Sequence, residues 1–510
     1  MMGRSVRLLP ALALALAVAY PIRAQNLPAD TARQEAIGRA QQAAAADDCA
    51  GVLGALDPLV PGLAQGDQRT LIQRLRLICL GREGRFEELA DVQHELTVAM
   101  PRDGTVRAFG VIIALGEERF ADAADQLATL AASSPSSLNI LTGAAVREIS
   151  TRLQQSNALA VRNRMMIALA RADWEPSDIP ELRTGFAEGA ISALLDEGQP
   201  DEAEGLLERI EQPELLSSML VDRHYAPIWR AVESRLGPAG GLSVDNFARD
   251  KLGTYADMPT SDTALRDAAN AMLLLGRYPD LIDMTDDVAV REGMSRDEVQ
   301  TVLMRARALA VLGRTAEADR VLAPFMTLDP ARSPEIVTAL ITYPEFLDET
   351  GQSARALETA RAVRDRGASV INGFGMRWVD RTEICALSAL GRTAEAGAAI
   401  DRLKPRFGEN HAALIESLLC AKRDAEASEF ALKAFADKDA GTELIYQFQP
   451  EGSIWGAGPS RLRDLWTAFL ARPAIKAAFE KRGRILPRAY WPGAKPREIP
   501  RRPAAGENLT

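Results

Sequence analysis

Three histidines, His94, His224 and His411, stand far apart in the chain. A zinc site draws three or four nitrogen, sulfur or carboxylate ligands from short, regular spacings, and no two of these histidines meet such a spacing. No Cys-x-x-Cys occurs either. Nucleophilic, phosphoryl-transfer or redox chemistry would be announced by a Gly-x-Ser-x-Gly elbow, a phosphate loop or a dinucleotide fingerprint. None is present. Gly373-Phe374-Gly375 lacks a third glycine and a preceding strand, so it reads as a loop. Asp283, Asp286 and Asp287 lack the alternating acids, central glycine and final glutamate of a calcium loop, and read as solvated helix faces. Among 70 acidic residues, carboxylate pairs arise by chance. Catalytic residues, cofactors and metals are therefore all expected to be absent, and the histidines are expected to serve structure.

Recognition chemistry is better represented. Arg377, Trp378 and Arg381 fall within one short stretch, and tryptophan and arginine dominate binding hot spots. The competing reading is ordinary packing of Trp378 between helices.

The elements that must position these residues are repetitive. Gly-Arg-Thr-Ala-Glu-Ala occurs at Gly313–Ala318 and again at Gly391–Ala396, with a weaker copy, Gly-Gln-Ser-Ala-Arg-Ala, at Gly351–Ala356. Around the first copy, Ser295 and Glu298 have capping-box spacing. Val299, Val302, Leu303, Ala306, Leu309 and Ala310 then form one apolar stripe of a helix. Gly313 supplies a left-handed helix terminus, and Thr315 can cap a second helix whose stripe is Ala318, Val321, Leu322, Phe325 and Leu328. Pro330 stops it. The product is a helical hairpin of about 34 residues that cannot bury both stripes alone and must stack on neighbours.

On these residues the chain resembles the tetratricopeptide repeat family. Ala306, Ala318 and Pro330 stand at that pattern's eighth, twentieth and thirty-second positions. Similar turns begin at Gly84, Arg119, Gly198, Gly276 and Lys422, so that recognisable units cover most of residues 30–440. The family's early tryptophan and mid-helix tyrosine are largely missing, with Asp380 and Leu387 in their places in one unit. The resemblance implies an all-α fold, a right-handed α-solenoid whose inner wall, built from each unit's first helix, binds a protein or an extended peptide. In that frame Arg74, Arg307, Trp378 and Arg381 face inward. A role in envelope polysaccharide export or cell-wall processing is the alternative, and glycan contact would call for aromatic platforms such as Trp378.

The first residues read as an export signal. Arg4 and Arg7 precede an apolar run from Leu8 to Tyr20, followed by Ala24, with no acidic residue before Asp30. That run is too short to span a bilayer. Cleavage after Ala24 would leave Gln25 first and place the mature chain outside the cytoplasm, in a bacterial periplasm. The formal charge of −10 becomes −13 without Arg4, Arg7 and Arg23. Nucleic-acid binding needs the opposite sign. An exported chain with four cysteines suggests disulfides. On the hairpin frame Cys49 and Cys79 lie at the same end of neighbouring helices and are expected to pair. Cys385 and Cys420, on successive first helices at less matched heights, form the weaker expected pair.

The organisation expected is a signal over 1–24, a first array over 25–236 and a second over 242–440. Gly237-Pro238-Ala239-Gly240-Gly241 marks a loop or bend between the two halves of the array rather than a full domain break. A helical cap over 441–492 would let Trp466, Phe469 and Phe479 cover the last hairpin, and 493–510 would be a disordered tail rich in proline and arginine.

Overall fold

The protein, described by a computed structural model over residues 31–449, 460–490 and 495–501, is all-α. The expected signal and most of the expected tail lie outside the described residues. Among the described residues there is no sheet, only one antiparallel bridge between Asp222 and Gly483. No described helix is long and apolar enough to cross a membrane.

The chain divides into two compact units between Arg209 and Ile210. The division falls earlier than the Gly237–Gly241 breaker, which turns the chain inside the second unit: Gly237 and Gly240 have φ of 70° and 69°.

The first unit stacks antiparallel pairs: α1 (Thr31–Ala45) with α2 (Cys49–Leu56), and α3 (Asp67–Arg82) with α4 (Phe86–Ala99). Next come α5 (Gly104–Gly116) with α6 (Phe120–Ser133), and α7 (Gly143–Gln155) with α8 (Leu159–Arg171). The last pair is α9 (Leu182–Asp196) with α10 (Pro200–Leu206). Cys49 and Cys79 have their sulfurs at disulfide distance, with Cα atoms 4.9 Å apart.

The second unit opens with α11 (Pro213–Val221), α12 (Trp229–Leu236) and α13 (Gly241–Asp257). Hairpins follow: α14 (Asp262–Leu274) with α15 (Tyr278–Thr285), and α16 (Arg296–Val311) with α17 (Thr315–Leu322). Then come α18 (Val337–Glu349) with α19 (Ser353–Gly367), and α20 (Gly373–Ala389) with α21 (Thr393–Leu403). The array ends in α22 (His411–Cys420), α23 (Asp424–Ala436) and α24 (Lys438–Gln447). Two further helices, α25 (Arg461–Leu470) and α26 (Pro473–Arg482), pack back onto it.

The repeated hexapeptide is a turn with two locks. Gly313 (φ 74°) and Gly391 (φ 72°) take the left-handed conformation that a Cβ resists. The next amide then reaches back across the helix end: Arg314 N–H to Leu309 O at 2.8 Å, and Arg392 N–H to Leu387 O at 2.9 Å. The second lock is the arginine itself. Arg314 grips Glu317 through two bonds of 2.7 Å, and Arg392 grips Glu395 through two of 2.6 Å. Arg85 with Glu88 and Arg423 with Glu426 repeat the clasp. The Arg423 guanidinium and the Lys404 ammonium hold the Glu426 carboxyl at about 2. The sequence spacing reveals the glycine and not the clasp.

Capping at the reference hairpin is half as expected. Ser295 and Glu298 form the full capping box. Thr315 caps nothing, because Arg314 occupies the cap position and Thr315 is already helical. The second stripe also ends early: Pro324 turns residues Ala323–Thr327 into a 3-10 segment, leaving Leu328 extended. Gly373-Phe374-Gly375 is not a loop; it opens α20, capped by Asn372.

Lys422 occupies the turn position that Gly313 and Gly391 hold in their hairpins, with φ 57°. Lys422→Gly is expected to stabilise the full chain by about 0.5–1 kcal/mol, the relieved backbone strain less the added freedom of the unfolded chain. Urea denaturation at fixed m-value checks this; an unchanged or lower midpoint would show that the turn is not strained there.

Candidate functional site

The inner-wall residues named from the sequence separate into different environments. Arg74 lies on α3 of the first unit, partly exposed and ion-paired to Asp103 at 2.8 Å. Leu71, 43 % exposed, and the half-buried Leu75 and Ile78 share its face, spaced as successive turns of one helix.

The other three belong to the second unit, where the wall is already occupied. The last turns of α18 carry Glu345, Asp348 and Glu349; α20 contributes Trp378 and Arg381; α22 contributes Glu416. Against them lies α25. Ser460 caps that helix by accepting the Arg463 amide at 3.2 Å, and its hydroxyl donates to Glu349. Arg461 donates to Asp348. Trp466 donates its indole N–H to Glu416 at 2.6 Å, with its ring 5.0 Å from that of Phe448. Leu462 packs beside Cys385 and Cys420, whose sulfurs are also at disulfide distance.

Arg381 is at the centre of this arrangement and is not open to a partner: it is 1 % exposed. Its guanidinium pairs with Glu345 and Glu416, each at 3.1 Å, and stands 5.0 Å from the Trp378 ring centroid. Burial works against its charge, yet Glu416 and Glu345 more than compensate and hold it protonated. Trp378 is half-buried and packs against the core of α20–α26, with Phe374 edge-on at 6.4 Å. This is the packing role that competed with recognition in the sequence. Arg307, on α16, is desolvated enough to lower its pKa and has Tyr278, Glu214 and Arg463 of α25 in its field.

The carboxylates of the wall are costly to ionise. Burial pushes Asp348, Glu349 and Glu416 upward, opposed by Arg461 and Arg381 at Asp348 and by Arg381 at Glu416. Glu349 differs from Asp348 and Glu416 in having no ion pair with an arginine among the described residues; its bonded partner is the neutral hydroxyl of Ser460. Glu345, Asp348 and Arg381 also act on it. A carboxyl raised in the folded state stabilises that state below its unfolded pKa, and the stabilisation is lost as pH rises through the folded value. Amide protection of α25 is therefore expected to fall as pH rises from 5 to 8, and to fall less in Glu349→Gln. Hydrogen exchange at the two pH values, corrected for intrinsic rate, checks both. Equal slopes would remove Glu349 as the source.

Beyond α26 the chain continues to the opening helices of the same unit. Arg484 bonds the carbonyls of Leu220 and Val221 at 2.6 and 2.8 Å and lies 3.6 Å over the Trp229 ring. Arg497 pairs with Asp245 at 2.9 Å, and its amide donates to Leu275 O. Residues 495–501 are thus docked rather than forming part of a disordered tail. Phe448, Trp466, Phe469 and Phe479 close one core with α22–α24. The second unit curls until α11 meets α24, and its own C-terminal run straps the ends together.

His411 Nδ1 lies 2.9 Å from Glu443, and Phe407 packs on its ring. No group of three metal-ligating side chains occurs among the described residues.

This architecture defines the class: an α-solenoid of tetratricopeptide-like hairpins. No protein-family model matches the chain, and no curated protein matches at a significant level. Among solved structures it is similar to one described as Naa15/Naa10 bound to HypK-THB, at 12% identity. That similarity covers 81% of this chain and 68% of the other, with a TM-score of 0.26. A superposition this loose says nothing of activity or partner.

Proposed function

We propose that the protein is a non-enzymatic exported scaffold of the bacterial envelope that binds a segment of another protein along its helical wall. The observation that carries this reading is α25. The second unit grips a short amphipathic helix by burying Trp466 and Leu462 and by setting Ser460, Arg461 and Trp466 on three carboxylates. Helix-in-groove recognition uses the same parts between chains. In the second unit the site is filled from within, so the face of α3 carrying Leu71, Arg74, Leu75 and Ile78 is the wall offered to a partner.

A photo-reactive residue at Arg74 in the full chain, irradiated in cells, is expected to capture one protein, and the same residue at Trp378 to capture none. Capture of glycan at either position would replace the protein-scaffold reading with the polysaccharide one. Capture of a protein only at Trp378 would overturn the assignment of the open wall. N-terminal sequencing of the cell-fraction product is expected to begin at Gln25 in the envelope; an intact Met1 in the cytoplasm would overturn export.

A further inference from the structure

The second unit holds a second feature, separate from the wall occupied by α25: a cavity of about 440 Å³ between α19, α20 and α21. That volume lies within the range of small-molecule sites. Its charged lining is four arginines, Arg364, Arg377, Arg402 and Arg406, against two carboxylates, Asp380 and Glu409. Ile371, Met376 and Leu403 supply an apolar portion.

The internal pairing leaves cations in surplus. Asp380 is shared between Arg364 and Arg377, at 2.9 Å each. Glu409 is shared between Arg406 at 2.8 Å and Arg377 at 3.4 Å. Glu383, just outside the lining, takes a further bond from Arg364. Arg402 has no hydrogen bond or ion pair among the described residues, and it is exposed at the cavity. Three carboxylates, Asp380, Glu383 and Glu409, thus serve Arg364, Arg377 and Arg406, and the surplus is Arg402, in a chain whose net charge is −10. A local excess of guanidinium running against the sign of the whole molecule favours an anion at this place. Guanidinium forks match the oxygens of phosphate or carboxylate two at a time.

We propose that this cavity binds a small organic phosphate, with the phosphate on Arg402 and Arg406 and a short apolar part against Ile371, Met376 and Leu403. The proposal is independent of the scaffold reading, since neither α3 nor α25 takes part.

Isothermal titration of the full chain with hexyl phosphate tests it. One saturable site is expected, with inorganic phosphate binding more weakly and hexanol not at all. Arg402→Ala removes a side chain with no partner to disturb and is expected to weaken hexyl phosphate about tenfold, the loss of roughly one charge-assisted bond. Ala368→Phe enlarges a lining side chain without touching a charge and should abolish binding. Unchanged thermal melting shows that each variant is folded; if Ala368→Phe is not, Arg402→Ala decides alone. Vesicles containing phosphatidic acid separate the two sources of such a group. Co-sedimentation lost in Arg402→Ala assigns a lipid headgroup, and its absence beside hexyl phosphate binding assigns a soluble ligand. No saturable binding of hexyl phosphate, or binding that Arg402→Ala leaves unchanged, would overturn the site.

Discussion

Trp466→Ala is expected to destabilise the second unit by about 3–5 kcal/mol, the upper range for truncating a buried aromatic. The indole is 3 % exposed, meets the rings of Phe448 and Phe469, and supplies the N–H that Glu416 accepts. Its removal leaves a cavity and also strips a buried carboxylate of one donor. The first unit, a separate compact body, should melt as before. Calorimetry of the full chain resolves the two transitions if only the second moves. A loss below about 1 kcal/mol would mean that α25 is not packed as described.

Arg381→Ala is expected to cost a similar amount, about 3–5 kcal/mol, for a different reason. Deleting one partner of a buried ion pair leaves the other charge without compensation, and here Glu416 and Glu345 both lose their cation. Replacing the pair together should recover much of the loss, because desolvation of both ions disappears with them. Arg381→Met combined with Glu416→Gln keeps an acceptor for Trp466 and is expected to be more stable than Arg381→Met alone. A double-mutant cycle by urea denaturation measures the coupling. Strict additivity would show that Arg381 acts through packing and not through charge.

The hairpins were legible because their causes are local. Ser295 with Glu298, the stripe from Val299 to Ala310 and the left-handed Gly313 each depend on residues a few positions apart. The aromatic side chains over the last hairpin were legible for a related reason: an apolar face without a successor needs a cover. The occupied wall was not. A repeat frame says which face of α20 carries Arg381, and says nothing of what lies on that face. Whether α11 meets α24 depends on small rotations accumulated over successive hairpins, and no single residue encodes that sum.

One signal was present in α18. Glu345, Asp348 and Glu349 crowd the last turns of that helix, where the helix dipole disfavours acidic side chains. Acids placed against the dipole imply cations or donors from elsewhere. Arg381, Arg461 and Ser460 are those groups.

The account rests on α25 lying bound on the wall made by α18, α20 and α22. Hydrogen exchange of the intact chain near neutral pH reads this most directly. Amides of residues 461–470 should exchange many times more slowly than in a free peptide of the same sequence, and Trp466→Ala should erase much of that difference. Free-peptide rates across 461–470 in the unaltered chain would mean that the helix is unbound and that the second unit, too, presents an open wall.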